Sequence, residues 1–95
     1  MKAILLREHG GVEGFDLAEI PHPVLQQGHV IIKVCASSVN PVDCKIREGT
    51  LAAIGPDLPG VLHGDVAGIV TEVGSGVEGL EVGDEVYGCI GGFRD

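Results

Sequence analysis

Two stretches of this sequence hold side chains whose types and spacing suit chemistry. One is Val61-Leu62-His63-Gly64-Asp65-Val66-Ala67-Gly68, where a histidine and a carboxylate flank a single glycine. The other is Val39-Asn40-Pro41-Val42-Asp43, followed by Lys45 and Arg47. A histidine can donate or shuttle a proton near neutral pH, and a neighbouring carboxylate tunes it. His63 and Asp65 also have a plainer use, as hydrogen-bonding groups of a loop. Residues 67–73 read as a strand, so the pair stands where that strand begins. Gly64 and Gly68 bracket the approach, where backbone must come close to other groups.

The elements that would carry these stretches are short. Residues 2–7 alternate loosely and suggest a first strand, and His9-Gly10-Gly11 a turn. Phe15, Leu17 and Glu19 alternate against Asp16, Ala18 and Ile20, which suggests a second strand ended by Pro21-His22-Pro23. Residues 30–36, from Val30 to Ala36, form the clearest strand and look buried. Asn40 as a cap, Pro41 at the first helical position and Asp43 at the positive end of the dipole agree on a helix start. Gly49 is its expected stop. Residues 50–60 carry Gly55, Pro56, Pro59 and Gly60 and read as a surface loop. After a turn at Gly74-Ser75-Gly76 and a tight turn at Gly83-Asp84, residues 85–89 form a last strand. The fold class expected is mainly β: a small, partly open Greek-key barrel with one short helix.

Composition narrows the partners. Six Lys/Arg against fourteen Asp/Glu give a net charge of −8, which makes nucleic acid and anionic membrane poor partners. Two Phe, one Tyr and no Trp leave no platform for base stacking. No run is long and apolar enough to span a membrane, and Met1-Lys2-Ala3-Ile4-Leu5-Leu6 meets Arg7-Glu8-His9 too soon for a signal peptide. Cys35, Cys44 and Cys89 are odd in number and widely spaced, which fits a reducing cytoplasm. Gly74-Ser75-Gly76-Val77-Glu78-Gly79 matches the letters of a dinucleotide fingerprint by chance, because no helix can follow it.

Asn40-Pro41-Val42-Asp43, Arg47-Glu48-Gly49, Pro59-Gly60 through Gly68, Val73-Gly74 and Val82-Gly83-Asp84-Glu85-Val86-Tyr87-Gly88 follow one another in a known order. Together they resemble the GroES-like catalytic domain of the medium-chain dehydrogenase/reductase superfamily, closest to its zinc-independent quinone oxidoreductases and enone reductases. The resemblance runs over the whole chain. It implies that residues 1–95 are the first part of a two-domain enzyme of roughly 300–350 residues. A Rossmann domain binding NADPH would follow residue 95, and the full-length enzyme would be a homodimer. The stretch alone would be inactive.

In the family's zinc-dependent alcohol dehydrogenases a Cys stands at the position of Asn40, and a Gly-His-Glu segment at His63-Gly64-Asp65. The resemblance therefore places Asn40 and Gly64 where metal ligands would be, and neither replaces thiolate or imidazole. No zinc is expected. Asp43 would be the carboxylate that orients the zinc-binding His in that branch. Here it is left to pair with His63 or Arg47, or to serve the helix start. Without a Lewis acid, a quinone or α,β-unsaturated carbonyl is an easier hydride acceptor than an alcohol is a donor. The resemblance implies Asn40, Asp43 and His63 as catalytic residues and Asn40 with Pro41 on the nicotinamide side. Lys45, Arg47 and Asp65 would face the quinone or enone substrate. Other readings are a zinc-dependent alcohol dehydrogenase relative, a co-chaperonin-like binding module sharing the Val-Gly-Asp-x-Val turn, and a non-enzymatic adaptor.

Overall fold

Two antiparallel sheets and one helix make up residues 1–90, which are the residues described by the computed structural model. Strands β1 (Lys2–Leu6) and β2 (Phe15–Glu19) pair without a register shift. Strands β3 (Val30–Ser37), β4 (Asp65–Val73) and β5 (Glu85–Cys89) form a three-stranded sheet with β4 in the centre. Helix α1 (Pro41–Glu48) joins β3 to the segment that leads into β4. The chain has the mainly β, one-helix architecture expected of its sequence.

Helix α1 starts and stops where its residue types direct. The Asn40 N–H donates to Asp43 Oδ2 at 2.8 Å, which satisfies a backbone group at the helix entrance. Gly49 closes the helix in the left-handed region, at φ 99°. The helix buries Ile46, which is fully excluded from solvent, against Leu6 at the end of β1 and Leu62. Phe15, Val42, Leu51 and Leu58 pack around them. Leu6 also exchanges backbone hydrogen bonds with Gly60, at 2.8 and 3.1 Å, so β1 holds the segment leading to His63.

Strand β4 begins at Asp65, two residues earlier than the apolar pattern indicates. Its pairing with β5 places Asp65 opposite Cys89, and its pairing with β3 places Val66 opposite Ser37. Cys35 on β3 and Thr71 on β4 are skipped by the ladder, and each marks a bulge. Gly68 is required by close approach: a Cβ there would overlap the Lys33 carbonyl oxygen on β3. The expectation that residues 30–36 are buried is corrected. Lys33 to Ser37 are exposed, because a run of β-branched residues reports pairing in a sheet and not what covers its faces.

Candidate active site

The end of β3, the start of α1 and the start of β4 meet at Asp65. The Ser38 hydroxyl donates to Asp65 Oδ2 at 2.6 Å, and Asn40 Nδ2 donates to the same oxygen at 2.9 Å. Asn40 Nδ2 also reaches Ser38 Oγ, more weakly, at 3.3 Å. The three side chains thus close a ring. Ser37 adds a bond from its hydroxyl to the Asp65 backbone carbonyl at 3.0 Å. The Ser38 hydroxyl, the Asn40 amide and the Cys89 thiol hold the Asp65 carboxyl below its usual value, against a smaller opposing effect of burial.

This shift fixes the sign of one pH effect. A carboxyl whose folded pKa is depressed adds stability above its unfolded value, and the gain is lost as pH falls toward the folded value. The ordinary value here is 3.8. The contribution should therefore be complete above that pH and disappear below it. Asp65→Asn is expected to remove this part of the acid unfolding limb, measured by circular dichroism against pH. An acid limb identical to wild type would show that the carboxylate is not held by these donors.

An open cavity of about 440 Å³ lies beside the ring. Ser38, Asp65 and Cys89 supply its polar edge, and Val66, Ala67 and Tyr87 much of the rest. A second cavity, of about 450 Å³, shares Ser37, Asp65 and Val66 with the first and is lined also by His63 and Phe15. Asp65 stands between the two. Asn40 lines neither; it reaches the first cavity through Ser38 and Asp65.

The other residues singled out from the sequence are dispersed. Asp43 is 2% exposed, and its Oδ2 serves the helix start. Its Oδ1 is buried with no hydrogen-bond partner among the described residues. Of the pairings open to Asp43, neither His63 nor Arg47 is realised. His63 is half-buried at the second cavity and carries a left-handed backbone, φ 76°. That conformation is uncommon for a residue with a Cβ and marks a constrained position. Pro41 is exposed at the first turn of α1.

The structure does not bring Lys45 or Arg47 to the ring. Lys45 is exposed on α1. Arg47 Nη1 donates to the Gly10 carbonyl at 3.1 Å, and the Gly10 N–H donates to the Arg47 carbonyl at 2.8 Å. Arg47 thus ties the helix to the loop between β1 and β2. Ser38 and Cys89 are the site residues that sequence reasoning missed. A hydroxyl two residues before a capping Asn was the local signal for Ser38. Cys89 had none, because its place opposite Asp65 depends on the register across residues 74–84.

Residues 26–93 match the family described as Alcohol dehydrogenase GroES-like domain. The chain belongs to that family. It is 46% identical to the chloroplastic NADPH-dependent alkenal/one oxidoreductase of Arabidopsis thaliana over 88 residues, covering 92% of this chain and 23% of the relative. It is 43% identical to the quinone oxidoreductase of Rattus norvegicus, covering 92% of this chain and 26% of the relative. An alcohol dehydrogenase superfamily protein from Novosphingobium aromaticivorans, 38% identical, superposes with a TM-score of 0.87 over 97% of this chain and 27% of its own. The GroES-like chain thus spans about a quarter of the length of the relatives it matches.

The relatives raise two groups whose fit the side chains can test. Among the described residues, no three His, Cys, Asp or Glu side chains stand close enough together to hold a metal ion. The Asn40 amide is turned onto a carboxylate, so the position offers hydrogen-bond donors and no soft ligand. The donor set does not fit zinc. For a dinucleotide, Gly74 to Gly79 form a turn and a bend with no helix after them among the described residues, so this segment is no phosphate cradle.

Proposed function

We propose that this domain is the catalytic-domain portion of an NADPH-dependent oxidoreductase that reduces quinones or α,β-unsaturated carbonyls without zinc. The observation that carries the reading is the Asn40 amide bonded to Asp65, a neutral donor at a position where zinc-dependent relatives place a ligand. The names of the Arabidopsis and rat relatives point the same way. A Rossmann domain beyond residue 95 would bind most of the cofactor, and Asn40 and Pro41 at the start of α1 would meet its nicotinamide side. Bound NADPH supplies a hydride.

This chain's own residues then have three tasks. The apolar wall of Val66, Ala67 and Tyr87 takes the flat body of the substrate. Asn40 keeps one N–H on Asp65, with Ser38 Oγ at 3.3 Å on the same side, and would offer the other to a substrate oxygen that reaches past the polar edge of the cavity, which Asn40 itself does not line. His63, which lines the neighbouring cavity across Asp65, would supply the proton that accompanies the hydride. Asp43 shapes the site by holding the helix start on which Asn40 sits. Lys45, Arg47 and Asp65 were the residues assigned to the substrate; Asp65 keeps that edge of the cavity, and Arg47 serves the fold. The protein would work as a homodimer in the cytoplasm, whose reducing conditions suit three free, exposed thiols.

The full-length protein should oxidise NADPH when given a quinone or an enone and should keep its rate in the presence of a chelator. Residues 1–95 alone should show no such rate. Elemental analysis near one zinc per chain, with turnover lost on chelation, would overturn the reading.

A further inference from the structure

Two adjacent serines at the end of β3 grip the same distant residue in different ways. Ser37 bonds the Asp65 backbone carbonyl at 3.0 Å, and Ser38 bonds the Asp65 carboxylate at 2.6 Å. The first bond places the start of β4. The second is short and charge-assisted, and it also puts Ser38 Oγ within 3.3 Å of Asn40 Nδ2.

We propose that Ser38 is a positioning residue, whose hydroxyl, anchored on Asp65, sets the plane of the Asn40 amide and so aims its second N–H. This rests on the reductase reading above. The torsion that turns an Asn amide is broad and nearly two-fold, so one hydrogen bond leaves the plane free to swing. Asp65 supplies that one bond at 2.9 Å. Ser38 supplies the second point of contact. The three distances put both oxygens on the same side of Nδ2, so they share one N–H and leave the other unheld, to meet an arriving carbonyl oxygen. The half-buried carboxylate would not need Ser38 for satisfaction, since water can reach it. Loss of the hydroxyl therefore acts on orientation more than on stability.

Ser38→Ala and Ser38→Thr in the full-length enzyme test this, with an enone as substrate. Ser38→Ala should lower kcat about tenfold with KM within about twofold, because aim matters in the transition state and less in binding. Ser38→Thr, which restores a hydroxyl, should recover most of the rate. Melting temperatures of both should stay near wild type. Unchanged kcat in Ser38→Ala, or no recovery in Ser38→Thr, would overturn the proposal.

The side-chain amide resonances of Asn40 give a readout independent of turnover. They should move in Ser38→Ala and return in Ser38→Thr. If wild type reduces neither quinone nor enone, the reductase reading falls. The amide resonances then still decide whether Ser38 orients Asn40, and unmoved resonances would overturn that as well.

Discussion

Asn40→Asp in the full-length enzyme is expected to cut kcat/KM at pH 8 by at least about tenfold, a loss of about 1.4 kcal/mol or more in transition-state stabilisation. The substitution keeps size and shape but turns the Nδ2 donor, 2.9 Å from Asp65 Oδ2, into an oxygen. Two carboxylates that close do not both ionise readily, and the pair titrates with one value strongly raised. Above that raised value the repelled side chains part and the donor is gone. Below it the pair shares one proton, which lies between the two carboxyls and leaves no donor for the substrate. The loss in kcat/KM should therefore persist as pH falls from 8 toward 5. Recovery to the wild-type value in that range would show that the second amide N–H of residue 40 does not act on the substrate. Asn40→Ser separates capping from catalysis, because it keeps a capping oxygen and removes the amide. It should lose activity with little change in melting temperature. His63→Gln should cost less than Asn40→Ser, and the reverse order would make His63 the principal residue.

The largest effect on stability is expected at Ile46. Its side chain is fully buried between Leu6, Leu62 and the segment around Gly55, where a Cβ would come within 2.6 Å of Ile46 Cγ2. Ile46→Ala removes three carbons from the point where helix, β1 and the approach to His63 meet. The expected cost is about 2–5 kcal/mol, against about 0.5–1.5 kcal/mol for Ile46→Val. A domain of this size is stable by only about 5–15 kcal/mol, so Ile46→Ala should move a chemical denaturation midpoint by a large fraction of its value. Because α1 carries Asn40, the same variant should lose activity below its melting transition. A midpoint within error of wild type would mean that Ile46 is not the keystone of this core.

Much of the architecture was legible along the chain. Each strand left a local trace, an alternating or β-branched run closed by Gly or Pro. The helix announced itself through Asn40, Pro41 and Gly49, since capping and φ preferences act within a few residues. The placing of β4 was two residues short, because Asp65 is polar and its strand pairing is set by Cys89 on β5. The exposure of β3 was misread, because hydrophobicity along a strand does not say which face meets another layer.

The sequence by itself determined the family, the helix that carries Asn40, and the absence of ligand-type side chains at Asn40 and Gly64. Only the tertiary structure decided who meets whom. Ser38, Asn40 and Asp65 form one ring although 27 residues separate the first from the last. Arg47 turns to Gly10, 37 residues away. The physical reason is that residue type sets what a side chain can bond, whereas strand register and the packing around Leu6, Ile46 and Leu62 set what lies within reach.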